Sequence, residues 1–128
     1  MNHTIYQDDL IKVEIEPFEI PWLKVFTQEH IKELSLCDDE LRFYLFETIN
    51  IIEKTMLKIL NPDKINIASF GNYVPHVHFH IQARYKNDSY FPEPTWGIKQ
   101  RKINFEIKDL DDFYLLVKEE LNKRKETN

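Results

Sequence analysis

Pro75-His76-Val77-His78-Phe79-His80-Ile81-Gln82 holds three of the chain's five histidines at alternate positions, and its reading decides the fold. Side chains alternate across a β-strand, so His76, His78 and His80 share one face while Val77, Phe79 and Ile81 share the other. Gln82 and Arg84 extend the polar face, Ala83 and Tyr85 the apolar one. Such a strand puts one face into a core and offers the other as a row of three imidazoles, an amide and a guanidinium. Those groups suit a phosphate or a metal ion.

Outward from this strand, the hydrophobic periodicity predicts the remaining elements. Residues 10–16 alternate with period two and read as a strand ended by Pro17, with residues 22–27 as its hairpin partner after Pro21. Ser35 or Asp38 can cap a long helix over 39–60, in which Leu41, Tyr44, Leu45, Ile49, Ile52, Met56 and Ile59 recur at helical spacing. Asn61-Pro62-Asp63 stops it. A short strand over 64–69 and a turn at Phe70-Gly71-Asn72 lead into the histidine strand, 76–85. Residues 86–97 carry Asn87, Asp88, Pro92, Pro94 and Gly97 and read as an irregular connector. A further strand is expected at 103–107 and an amphipathic C-terminal helix over 109–123. The class is α+β, with a mainly antiparallel sheet, one long helix and a C-terminal helix. The 128 residues are expected to form a single domain, 1–128.

The composition narrows the partners. No apolar run approaches the roughly 20 residues that span a bilayer, and the N-terminus lacks the basic start and apolar core of a signal peptide. One cysteine, Cys37, allows no disulfide framework and points to the cytoplasm; Asp38 and Asp39 beside it are expected to raise its pKa. A net charge of −5 argues against nucleic acid and anionic membranes as partners. Between His76 and Lys102, however, Arg84, Lys86, Lys99, Arg101 and Lys102 stand against only Asp88 and Glu93. A local cationic patch on an acidic chain suits a small anionic ligand. Lys99, Arg101 and Lys102 either steer such a ligand or form a solvated cluster.

Three readings of the histidine row are open from the residues themselves. It can be the wet face of a surface strand. It can be a metal site, although successive same-face residues lie about 7 Å apart, which makes it hard for all three rings to reach one ion. Or it can perform phosphoryl chemistry, one imidazole attacking phosphorus while its neighbours bind phosphate oxygens. Imidazole suits the last role because its nitrogen is nucleophilic near neutral pH.

The run His76-Val77-His78-Phe79-His80-Ile81 resembles the His-φ-His-φ-His-φ-φ motif of the histidine triad (HIT) superfamily, with Gln82 at the last position. Residues 64–75 and 83–97 extend the similarity toward the bacterial branch of diadenosine tetraphosphate hydrolases, and the likeness covers roughly residues 8–97. The resemblance implies a HIT-like fold and a nucleotide hydrolase or nucleotidyl transferase acting on the α-phosphate of a dinucleoside polyphosphate or a nucleoside phosphoramidate. It implies His78 as the nucleophile that becomes nucleotidylated, His76 and His80 as flanking phosphate and leaving-group contacts, and Asn72 as an α-phosphate contact. Gln82, Arg84 and His30 are further substrate-binding candidates, and Glu14 or Glu16 is the candidate for ribose, with Ile15, Phe18 or Ile20 lining the base site. Trp96 is placed over the site, at a dimer interface or in the core. The resemblance also implies a homodimer. No metal or other cofactor is built in; Mg²⁺ would come only with a polyphosphate substrate. Departures from the pattern are Pro21-Trp22, where relatives often have Gly-His, and Glu29 in a step that is otherwise basic before His30. The rival readings are a non-catalytic nucleotide sensor and a metal-binding protein that uses the three histidines.

Overall fold

The alternating strands pair into one five-stranded sheet of order β1-β2-β3-β5-β4, antiparallel throughout. In the computed structural model, which describes residues 3–126 and side chains as far as Arg124, β1 is Thr4–Gln7, β2 Ile11–Ile15, β3 Trp22–Thr27, β4 Lys64–Ala68 and β5 His78–Arg84. Helix α1, Asp39–Ile59, joins β3 to β4, and α2, Leu110–Glu126, ends the chain. β1 was not anticipated. It closes the far edge by pairing with β2, and Asp8 forms the turn between them by accepting from the amides of Leu10 and Ile11.

One face of the sheet is dry. Ile11 and Val13 of β2, Leu23 and Val25 of β3, Ile65 of β4 and Phe79, Ile81 and Ala83 of β5 are all buried beneath the helices. α1 meets them with Leu41, Leu45, Ile49, Ile52 and Met56, at the spacing read from the sequence. Asp38, rather than Ser35, is its cap, accepting from the Leu41 amide at 2.8 Å. Asp39 and Glu40 in its first turn and Lys58 in its last complement the helix dipole. Thr48 and Thr55 are buried on this face because their hydroxyls donate to the carbonyls of Tyr44 and Ile51 one turn back. α2 adds Phe113, Val117 and Leu121 to the same core.

The strand expected at 103–107 is absent. Phe105 packs against Tyr85, with ring centroids 5.7 Å apart, and Ile107 rests on the core. The segment therefore crosses near the end of β5 and lies along no free sheet edge, so no ladder forms. Cys37 is buried, and its thiol pKa is raised chiefly by that burial, with Asp38 adding to the effect and Arg42 opposing it. The carboxylates named from the sequence are thus the lesser cause.

Candidate active site

The other face of the sheet carries the histidines. The β3–β5 register sets Phe26 opposite His78, Lys24 opposite His80 and Trp22 opposite Gln82. Period-two alternation in both strands therefore builds a patch of two strips, one mostly imidazole and one mostly aromatic. His76 lies just before β5, yet it keeps company with the row. His30 stands edge-on to it at 5.0 Å between centroids, and Phe26 does so at 5.7 Å. Phe26 also stacks on His78, at 5.0 Å and 22°.

Hydrogen-bond partners assign the ring protons. His78 Nδ1 lies 2.7 Å from the His76 carbonyl. A carbonyl only accepts, so Nδ1 carries the hydrogen and Nε2 of the neutral ring keeps a lone pair. His76 is set the other way round. Its Nε2 lies 2.7 Å from the Thr27 carbonyl and 3.0 Å from Thr27 Oγ1, so Nε2 is the protonated nitrogen. The Thr27 hydroxyl itself donates to the Glu29 carbonyl. At His80, Nδ1 accepts from the Trp22 indole N–H at 3.0 Å.

His78 and His80, 5.1 Å apart between ring centroids, form one wall of a cavity of about 350 Å³. Phe70, Asn72, Tyr73 and Trp96 form much of the rest. The turn before the row is shaped by Gly71, whose φ of +91° is a conformation that other residues rarely adopt. That turn brings Asn72 to the wall of the cavity. Trp96, 47% exposed, packs edge-on to His80, Trp22 and Phe70 at 5.0, 5.3 and 4.8 Å. Trp96 thus lines the site and is not buried in the core. A row of differently protonated imidazoles beside an amide can attack, bind and orient a phosphoryl group.

Comparison with known proteins identifies the family. The model of the HIT domain family matches residues 2–87. The chain belongs to the HIT family. Histidine triad proteins from Bradyrhizobium japonicum and Marinobacter aquaeolei superpose on it with TM-scores of 0.75 and 0.72. The first is 27% identical, covering 91% of this chain and 90% of its own; the second is 26% identical, covering 95% and 87%. A HIT-like protein of Borreliella burgdorferi is 26% identical over 126 residues, 91% of this chain and 86% of its own length. Membership in the HIT family supports a nucleotide-binding or nucleotide-processing role.

Several candidates take other places within this HIT fold. Arg84 extends the histidine face, as the alternation requires, but is 1% exposed and closed to substrate. Its Nε and Nη2 donate to the two Asp88 oxygens at 2.9 and 3.1 Å, Nη1 to Asn66 Oδ1 and Nη2 also to the Glu93 carbonyl. Burial by itself would raise the Asp88 pKa. Hydrogen bonds from Arg84 and the amides of Tyr85, Phe91 and Tyr90 outweigh it, and the carboxyl is held below its usual range. Asp88 thereby gathers the irregular connector onto the end of β5. Gln82 is equally buried and donates to Thr95 Oγ1 at 2.8 Å, so it too holds the connector. Arg101 donates to the carbonyls of Asp88 and Phe91, which makes it an anchor of the connector and not a free steering charge.

Glu14 and Glu16 lie on or beside β2, one strand further from the histidines than β3, and pair with Lys12 and Lys24 at 3.0 and 3.5 Å. Neither lines the cavity. Ile20 is buried, Ile15 packs on the core and Phe18 stands edge-on to Trp22 at 5.4 Å, so these residues do not form the cavity wall either. Phe26, Phe70 and the Trp22–His80 contact were missed. The signal for two of them lay in the alternation Trp22-Lys24-Phe26, which has the same period as the histidine row. Among the described residues, no group of three or more His, Cys, Asp or Glu side chains is arranged to hold a metal ion. Among the same described residues, no helix is long and apolar enough to cross a membrane.

Proposed function

We propose that this chain is a nucleotide hydrolase or nucleotidyl transferase of the cytoplasm. In this reading His78 Nε2 attacks the α-phosphorus of a dinucleoside polyphosphate, such as diadenosine tetraphosphate, or of a nucleoside phosphoramidate. The observation that carries it is the His78 Nδ1–H bond to the His76 carbonyl, which leaves the nucleophilic lone pair on Nε2. Attack forms a P–N bond and breaks the bond to the leaving group, which departs with the bonding electrons. Water then attacks the nucleotidyl-histidine and releases nucleoside monophosphate. Asn72 and His80 meet phosphoryl oxygens from their places on the cavity wall, and His76 and His30 complete the row. Metal enters this scheme only as Mg²⁺ carried by a polyphosphate.

Acid quenching during turnover of diadenosine tetraphosphate, followed by peptide mass spectrometry, tests the covalent step. The expected result is a nucleoside monophosphate adduct on the peptide that contains His78. An adduct on another residue, or turnover with no adduct, would overturn the scheme.

The chain is also proposed to work as a homodimer. Phe43, Phe46 and Leu57 of α1 and Ile67 of the edge strand β4 are 71, 50, 51 and 46% exposed. Phe43, Phe46 and Leu57 share one helical face, and Phe46 touches Phe79 at 5.8 Å between centroids. An apolar strip beside a free edge is where a second copy can extend the sheet. Phe46→Glu is expected to raise the dimer dissociation constant at least about 30-fold, measured by sedimentation equilibrium, in keeping with loss of a buried aromatic anchor. An unchanged constant, or a monomeric parent protein, would remove the dimer from the proposal.

A further inference from the structure

The contact between Trp22 and His80 deepens the proposed function and rests on it. We propose that Trp22 is a positioning residue that locks His80 as a neutral ring with its hydrogen on Nε2. His80 then donates a hydrogen bond to the substrate and cannot serve as the acid for the leaving group.

The indole Nε1–H of Trp22 donates and never accepts. At 3.0 Å from His80 Nδ1 it requires a lone pair there, so the ring hydrogen sits on Nε2. Protonating Nδ1 would set two N–H groups against each other. Trp22 has little room to turn away, since it is 8% exposed, is paired through its backbone with β5 and is flanked by Phe18 and Trp96. His80 is also 8% exposed, so bulk water cannot take over the role of partner.

The surroundings act in the same direction. The titratable and charged groups that face His80 are His78 on its own strand and Lys24 on β3, and both oppose a positive ring. Its other close neighbours, Phe70 and Trp96, are uncharged. Burial first, then His78 and Lys24, lower the His80 pKa from 6.5 to about 4.

The consequence is a preference between the two substrate classes. When His78 attacks an anhydride, the broken P–O bond leaves its electrons on a phosphate oxygen that is stable as an anion, and no proton is needed. When it attacks a phosphoramidate, the departing nitrogen must take a proton. Locked as a neutral donor, His80 cannot supply it. The pairing therefore favours phosphoric anhydrides over phosphoramidates.

The test is ¹H–¹⁵N NMR of the imidazoles in the ¹⁵N-labelled, substrate-free full chain, with His80 assigned by the loss of its signals in His80→Gln. In the parent protein His80 is expected to show the Nε2–H tautomer and no titration between pH 8 and 5.5. In Trp22→Phe its midpoint is expected to rise by at least about one unit. The same variant should lower the ratio of diadenosine tetraphosphate to adenosine phosphoramidate kcat/KM at pH 6 at least about tenfold, as general acid catalysis becomes available. An Nδ1–H tautomer, or a midpoint above pH 6 in the parent protein, overturns the lock, and this spectrum requires no variant to fold. An unchanged substrate ratio in a Trp22→Phe protein whose His80 titrates overturns the preference. The tautomer is read without turnover, so a protein that hydrolyses neither substrate would refute the enzymatic reading separately from the lock.

Discussion

His78→Ala is expected to lower kcat for release of nucleoside monophosphate from diadenosine tetraphosphate at least about 10³-fold, with a much smaller change in KM. The nucleophile forms the bond that divides the reaction into two steps, so its removal takes away the pathway itself and not one contribution to it. Alanine leaves the β3–β5 ladder opposite Phe26 in place, and it forfeits the stacked contact with Phe26, a loss of about 1 kcal/mol. Asn72, His80 and the aromatic walls of the cavity remain, so nucleotide binding should survive. Steady-state kinetics and calorimetric titration on the same preparation separate the two effects. Residual kcat within tenfold of the parent would mean that His78 is not the nucleophile. A parent protein that binds nucleotide without turning it over would favour the sensor.

Arg84→Ala is expected to be the most damaging single truncation for stability, costing about 3–5 kcal/mol. The guanidinium makes four hydrogen bonds, to both Asp88 oxygens, Asn66 and the Glu93 carbonyl, and lies over the Phe91 ring at 5.7 Å. Removing it leaves the Asp88 carboxylate, 1% exposed, without its cation. Against a total of about 5–15 kcal/mol for a domain, such a loss should lower Tm by on the order of 10–20 °C. Differential scanning calorimetry decides the matter, and a Tm within about 3 °C of the parent would show that the brace is dispensable. The pH dependence follows from the same pair. The Asp88 pKa is lower folded than unfolded, so the stability it contributes is present above about pH 4, the unfolded value, and is lost as pH falls through the folded one. Acid should therefore narrow the difference between Arg84→Ala and the parent protein.

Arg84 also marks the limit of what period two can reveal. Alternation placed it correctly on the histidine face, and from there a phosphate contact was a reasonable expectation. Four residues further on, Asp88 turns back in the irregular connector and takes the guanidinium out of solvent. No pattern in the linear chain announces that return. The strand expected at 103–107 failed for a similar reason. Its local sequence suits a strand, but a strand exists only where a neighbour offers an unpaired edge, and the chain there packs across the fold at Tyr85.

By itself the sequence determined the α+β class, the long helix, the hairpin of β2 and β3, and the histidine row with its family. These rest on local periodicity, which a strand or helix converts directly into faces. The tertiary structure alone decided which nitrogen of each imidazole bears the hydrogen, that Arg84 and Gln82 brace the connector, and that Trp22, Phe70 and Trp96 enclose His80. Each of these depends on partners far along the chain, 58 residues apart for Trp22 and His80 and 49 for Thr27 and His76. Hydrogen bonding is directional and short in range, so a ring's protonation state is set by whichever group folding brings to within about 3 Å of it.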